Sequence, residues 1–371
     1  MEKEIVNTTQ KRGHGHFGSF LSYFIFIGWT LLTIIPLFWM FYSSFKTNEE
    51  LNRYVFALPK AMFQNYNDEY VVIAPQLNLM YDYDRDTDKR ERLIIESTEI
   101  APQRRLMVSF ILKEDLPQEI ANLKPGDTLT LAQLPSKIRR SISLKTMVWN
   151  YTSALFRGGL FQKFGNSILY TFVSTFFVIF FGLMIGFALS KMQFKKLSSI
   201  IMGLIGLGYL ISINSVIIPL FLMLSSVGLT DSHLGIILVY VAFGLPMAVL
   251  LSSQFMKGLP DSLIESAYID GATVFKTFSS IIIPMTAPVI ITIGIMSGLG
   301  IWNEFLLVLV LASSDATKSL PVGVYSFSSL TGTQLGWQLA ALVIATAPAM
   351  LTYFAFQRRL AEGVAGGALK E

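Results

Sequence analysis

The chain has 371 residues, of which 52% are hydrophobic and only 15% charged, and a mean hydropathy of +0.53; that balance excludes an ordinary water-soluble globule and marks an integral membrane protein. A formal charge of +4 and a pI near 9.0 do not point to nucleic acid, because the basic residues cluster beside apolar runs, where anchoring at the cytoplasmic face accounts for them. With no cysteine in the sequence, neither a disulfide framework nor a thiolate metal site is available, and any part outside the membrane must be held by its core.

Residues 1–16 read as a polar cytoplasmic tail with Lys3, Lys11, Arg12, His14 and His16. Two histidines can ligate a metal, but a flexible flank is the simpler reading. The first span, 17–45, is rich in Phe and Trp, with Pro36 as a candidate kink. It is too long for a signal peptide and lacks a small-residue cleavage site, so it is expected to remain as an anchor. Composition changes sharply after Ser43-Ser44-Phe45-Lys46-Thr47. The interval 46–164 carries strand signals at 70–73, 93–95, 106–112 and 128–131, separated by turn-forming runs at 81–88 and at Lys124-Pro125-Gly126-Asp127. These predict a small β-rich domain over roughly 63–143. The alternating aspartates of 81–88 lack the Gly and closing Glu of a calcium loop and read as a solvated hairpin tip.

Five further spans are predicted at about 165–189, 197–225, 234–256, 284–311 and 336–356. Lys191, Lys195, Lys196, Lys257, Lys276, Arg358 and Arg359 all fall in links on the same side as the N-terminal tail, whereas the opposite links carry only Asp231, His233, Asp315 and Lys318. The positive-inside rule then puts both termini, including the tail 358–371, in the cytoplasm and the β-rich insert outside. The expected fold is an all-α polytopic membrane protein of six transmembrane helices with a small extracytoplasmic β-rich domain between helices 1 and 2.

Within the predicted core, 165–357, the cytoplasmic loop 257–283 is amphipathic where its neighbours are continuously apolar. Pro260 is expected in a first helical turn with Asp261 and Ser262 at its positive end. Leu263, Ile264, Ala267 and Tyr268 recur on one face. Gly271 is the expected stop and Thr273 the start of a second helix, whose apolar residues Val274, Phe275, Phe278, Ile281 and Ile282 keep the period until Pro284. The order Glu265-Ser266-Ala267, Gly271, Ile281, Ile283-Pro284 resembles the EAA loop of ABC importer permeases. Ser266 replaces the family's second Ala and Ile283 its Leu.

Other stretches look like the carbohydrate-uptake branch, the relatives of the smaller membrane subunit of the maltose importer. They are Ser43 to Thr47, Asn150-Tyr151, Asn166-Ser167-Ile168, Trp302-Asn303-Glu304-Phe305, and the tail from Phe356-Gln357-Arg358-Arg359 through Gly363, Gly366 and Gly367 to Lys370. The insert departs from that pattern. The resemblance implies a type I importer fold and a carbohydrate cargo. It also implies a second homologous permease, two ATPase subunits holding ATP and Mg²⁺, and an extracytoplasmic solute-binding protein. In that assembly Glu265, Ser266, Ala267, Tyr268, Asp270, Gly271, Phe275 and Pro284 would couple to the ATPase, Glu265 through a charged contact and Ala267, Tyr268 and Phe275 by packing. Thr331, Gly332, Thr333 and Gln334, in the link after the fifth span, would face the binding protein. No Walker-type loop occurs in the chain, so it is expected to be a non-catalytic subunit with no cofactor of its own.

Glu304 is a carboxylate inside a predicted span and therefore a functional candidate. Counting about 1.5 Å per residue from Pro284 puts it roughly 30 Å along, near the interface. Asn303, and Ser212, Asn214 and Ser215 in the third span, are candidates for a sugar path, with interhelical bonding the alternative; the same holds for Gln338. Gly294, Gly298 and Gly300 read as close-packing positions. Two other readings remain: a receptor or assembly protein acting through its β-rich insert, and an importer for a small solute other than sugar. Few acidic groups lie in the spans, which favours a neutral, hydroxyl-rich cargo.

Overall fold

The computed structural model describes residues 16–59, 62, 70–73, 92–97, 108–112, 117–124, 127–130, 133–192, 195–327 and 334–368. The chain divides into two compact units, Met1–Met147 and Val148–Glu371. Lys3, Lys11, Arg12, His14, the aspartate run 81–88, Pro125 and Gly126 lie outside the described residues.

In the first unit, α1 (His16–Ser43) is a single helix that contains Pro36 and bears exposed apolar side chains along its length. After it, Thr47 starts α2 (Asn48–Arg53) with a capping box: its hydroxyl accepts from Glu50 N, and the Glu50 carboxylate accepts from Thr47 N. This reciprocal pair satisfies two of the amide groups that a helix start leaves open. Four short strands follow, β1 (Tyr70–Ile73), β2 (Arg92–Ser97), β3 (Val108–Leu112) and β4 (Thr128–Thr130). They form one antiparallel sheet in the order β3-β2-β1-β4. In register, Val72 stands between Glu96 and Thr128. A short helix, α3 (Gln118–Ala121), precedes β4, and α4 (Ser136–Thr152) leads toward the second unit.

In the second unit the end of α4 is followed by a π-helical turn, Ser153–Arg157, and by Gly159 at φ 63, a left-handed position that suits glycine. α5 (Leu160–Lys191) therefore begins at residue 160, ahead of the predicted 165. It packs along α8 (His233–Lys257) through small residues. A Cβ on Gly182 would lie 2.6 Å from the Ala248 Cβ, and one on Gly186 2.2 Å from the Ser252 Oγ. The Ser252 hydroxyl donates to the Gly182 carbonyl at 2.8 Å across the gap. Such close approach is how helices gain packing where lipid removes the hydrophobic drive between them.

Two predicted spans are broken. The run 197–225 is two helices, α6 (Lys195–Tyr209) and α7 (Ile213–Ser226), bent by 97°. Leu210 and Ile211 close tight turns onto Leu207 and Gly208, and Ser212 is extended, so the ladder stops and restarts. The run 284–311 is also interrupted at both ends. Following α9 (Ser262–Ile269) and α10 (Val274–Thr277), a π-helical turn, Phe278–Ile282, runs into α11 (Ile283–Met285). The chain then bends by 75° at Thr286 into α12 (Ala287–Asn303). Pro288, in the first turn of α12, brings no N–H to continue the previous ladder. At the far end Glu304 is extended, and a separate helix, α13 (Leu306–Leu311), follows.

α14 (Leu320–Tyr325) and α15 (Leu335–Ala368) complete the unit. The helix passes through most of the segment expected as a tail from 358, whose Arg-Arg-Leu-Ala-Glu run is made of good helix formers. Among the described residues four helices are long and apolar enough to cross a membrane, namely Phe20–Ser43, Leu160–Lys191, His233–Lys257 and Leu335–Gln357. Each bent pair adds one more if it counts as a single span.

Candidate functional site

The segment from Lys257 to Met285 is a helical hairpin held against the ends of α5 and α8. Pro260 lies outside the first helix, contrary to expectation: Asp261 is the N-cap residue and its side chain makes no capping bond. That carboxylate turns instead to Lys191, whose Nζ donates to it at 2.5 Å and to the Leu259 carbonyl at 2.6 Å. Lys191 thus ties the end of α5 to the start of the hairpin. It reads in the sequence only as a positive-inside residue, because its partner is 70 positions away.

Ile264 points inward and is buried with Leu183, Phe187, Met256, Phe278 and Ile282, and Ala267 is buried as well. The Phe187 and Phe278 rings stand 5.3 Å apart. Ala267, expected to pack on a partner, is 5% exposed. Leu263 and Tyr268, expected on the same face, are exposed.

The helix ends in a Schellman turn: Ala272 N donates to Ala267 O, Gly271 N to Tyr268 O, and Gly271 takes φ 73. Thr273 then caps α10, accepting from Lys276 N at 3.3 Å. Around this turn the outward side chains are Tyr268, Ile269, Val274 and Phe275, with Ile269 86% and Phe275 75% exposed. Glu265, Ser266 and Asp270 are also exposed, and Ser266 bonds back to Ser262 O at 2.7 Å. Pro284 is exposed in α11. Ile269 was not singled out by sequence. Its signal was its position five residues after Ile264, about 140° round the helix at 3.6 residues per turn.

The candidate path residues lie at the start of α7 and at the junction of α12 and α13. Glu304 accepts from Tyr240 OH at 3.1 Å and from Leu307 N at 2.8 Å, so it caps α13 and ties it to α8. Asn303 is exposed and bonds to Leu299 O at 2.8 Å. Asn214 and Ser215 are exposed on the first turn of α7. Their neighbour Ile213 packs on the same apolar cluster as Ile301 and Phe305, around Tyr240 and Leu307. Gly298 faces Thr171 and Thr175 of α5 at ordinary distance, and Gly294 faces Ile179.

The link after the fifth predicted span is pinned in its first half. Asp231, at φ 52, accepts from Ser314 N, from the Ser314 hydroxyl and from the Thr317 hydroxyl. Asn166 donates to Ala316 O and Lys318 O, Tyr170 donates to Thr317 O, and Ser167 accepts from Leu320 N. The Thr317 bond, more than the others, holds the Asp231 carboxyl below its usual range. The Asp315 carboxyl is also lowered, first by its bond to Lys318 and then by Lys163. Thr331, Gly332 and Thr333 lie outside the described residues, and Gln334 donates its N–H to Phe327 O at 3.2 Å. Gln338 sits in the first turn of α15.

The family model described as the binding-protein-dependent transport system inner membrane component matches residues 151–366, more than half of the chain and nearly all of the second unit. The chain belongs to this family of ABC transporter permeases. The permease is 33% identical to the trehalose transport system permease protein SugB of Mycobacterium tuberculosis (strain CDC 1551 / Oshkosh), over 71% of this chain and 94% of that one. It is 32% identical to a putative ABC transporter permease protein, ORF2, of Caldicellulosiruptor sp. (strain Rt8B.4), over 65% of this chain and 87% of the relative. Among solved structures it resembles a chain of a bacterial ABC transporter involved in import of the acidic polysaccharide alginate. That match has a TM-score of 0.50 at 21% identity and covers 56% of this chain and 78% of the other. The fold is that of an importer permease, and the protein is a multi-pass membrane protein.

Proposed function

We propose that this permease forms one half of the translocation path of an ATP-driven importer for a carbohydrate, and that the hairpin 257–285 receives the motion of an ATPase subunit. One observation carries the reading: the hairpin is fastened on its inner side by Lys191, Ile264 and Phe278 and presents exposed Tyr268, Ile269, Val274 and Phe275 on its outer side. Apolar side chains that cluster on a fixed turn, with Glu265 and Asp270 beside them, suit a protein cleft better than water. The carbohydrate class is taken from relatives such as the trehalose system.

In this reading each bent helix pair counts as one span, giving six, with both termini and the hairpin cytoplasmic and the β-rich insert outside. A second permease completes the path, two ATPase subunits hold ATP and Mg²⁺, and a solute-binding protein delivers the cargo to the far side, where 331–334 would face it. Asn214, Ser215, Asn303 and Glu304 remain the polar groups proposed along the path, Glu304 chiefly as a structural cap. The ATPase must contact the hairpin differently in its two nucleotide states, since a partner bound equally in both shifts nothing.

The test is to purify the chain in mild detergent from its own membranes and identify its companions by mass spectrometry. Recovery of an ATPase and a second permease is the expected result. Recovery of neither, with an extracellular partner held by the insert, overturns the proposal in favour of a receptor or assembly role.

A further inference from the structure

The chain does not leave the end of α1 freely. It folds back, and three consecutive backbone carbonyls of the returning turn are captured by side chains at and just beyond the helix end. The Lys46 ammonium donates to Tyr54 O at 3.1 Å and to Val55 O at 2.7 Å. The Trp39 indole donates to Val55 O at 3.0 Å, and the Tyr42 hydroxyl to Phe56 O at 3.2 Å. Lys46 is buried and also lies 5.1 Å above the Tyr42 ring. Its capture of the return is supported by the capping box that sets α2 at the turn.

With the carbonyls of Tyr54, Val55 and Phe56 satisfied, this turn exposes its side chains. Tyr54, Val55, Phe56 and Leu58 are all exposed, Phe56 at 82%. Trp39 lies four residues before the end of α1, about 6 Å back along the helix axis. The apolar stretch Phe20–Ser43 has 24 residues, roughly 36 Å of helix against a hydrocarbon core of about 30 Å. Val55 and Phe56, bonded to Trp39 and Tyr42, therefore stand level with the boundary between acyl chains and headgroups, where Trp and Tyr concentrate. A polypeptide dipping there is favoured by every carbonyl that is already paired, and those of Tyr54, Val55 and Phe56 are.

We infer that residues 54–58 are an interfacial anchor that inserts into the lipid beside the C-terminal end of α1, with bilayer lipid as the partner of its apolar side chains. The surface is continuous in sequence with the exposed apolar side chains of α1, and the polar residues Asn52 and Arg53 of α2 just before it are also exposed. The inference rests on α1 crossing the membrane and on neither the cargo nor the direction of transport.

The absence of cysteine makes the test direct. Single cysteines replace Ala57, Leu58 and, as a water-facing control, Asn52, leaving Phe56 in place. The full chain, with whatever subunits co-purify, is spin-labelled and reconstituted in phosphatidylcholine–phosphatidylglycerol vesicles. The ratio of oxygen to nickel-chelate collision is expected to be several-fold higher at 57 and 58 than at 52. Nickel-dominated collision at 57 and 58 overturns the inference by showing an aqueous knob. Labels reached by neither reagent overturn it by showing a protein covering. Lys46→Met, which removes two of the four clasping bonds, is expected to shift the label at 58 toward the nickel reagent; an unchanged ratio in a folded variant removes Lys46 from the account.

Discussion

Gly271 carries the strictest backbone demand in the hairpin. Its φ is 73 and no neighbouring atom would meet an added Cβ, so a substitution there is opposed by conformation and not by space. The left-handed region costs an L-residue roughly 1–2 kcal/mol, more when it is β-branched. Gly271→Val is expected to lower ATP-driven uptake in vesicles while the protein still inserts and accumulates; normal uptake would remove the hairpin from coupling. Asn at this position is expected to be milder, because it tolerates the same region. At the opposite end of α8, Asp231 makes a different demand. Its folded-state pKa is depressed, so its contribution is fully present above the ordinary carboxylate value, near 3.8, and is lost only as pH falls through the lower folded value. Hydrogen-exchange protection of amides 313–319 should therefore persist through mildly acidic pH. In Asp231→Ala it should fall throughout that pH range, by the roughly 0.5–1.5 kcal/mol that a part-exposed hydrogen bond contributes. Unaltered protection in that variant would show that Asn166 and Tyr170 suffice to hold the link.

At the scale of elements, the tightest fit is the crossing of α5 and α8. A Cβ on Gly186 would meet Ser252 Oγ at 2.2 Å and Ser253 N at 3.1 Å, and the second of these is backbone that cannot rotate away. Gly186→Val is expected to cost about 1–3 kcal/mol or more, read as a lower Tm and a poorer yield in detergent. Gly186→Ala combined with Ser252→Gly should recover part of the loss; no recovery would put the strain elsewhere. The crossing was hidden in the sequence, where Gly182 and Gly186 look like scattered small residues. The helix breaks were hidden too. Continuous hydropathy from 197 to 225 and from 284 to 311 reports that a segment is apolar, not which way it points. A 97° turn at Ser212 and an extended Glu304 leave that signal unchanged. By contrast, the capped start at Thr273 and the left-handed stop at Gly271 were legible, because each is dictated by a residue type at one position.

For the molecule as a whole, the family was readable because its spacing is backbone chemistry: a glycine stop, a second helix and a proline at set distances. The ties that seat those helices were not, since Lys191 with Asp261 and Tyr240 with Glu304 are partners 70 and 64 residues apart. Nothing in a single sequence brings such pairs together. The close crossing of α5 and α8 also has a mechanical consequence. Two helices whose backbones interlock through Gly182, Gly186, Ala248 and Ser252 cannot slide past one another without opening a gap that the packed interior resists. They are expected to move as one rigid beam. Any rearrangement that opens a passage would then fall to the joints where the ladder is already interrupted, at Ser212, Thr286 and Glu304, and in the proposed importer a pull on the hairpin would reach the first of its own joints, Thr286, through the short helical stalk 274–285.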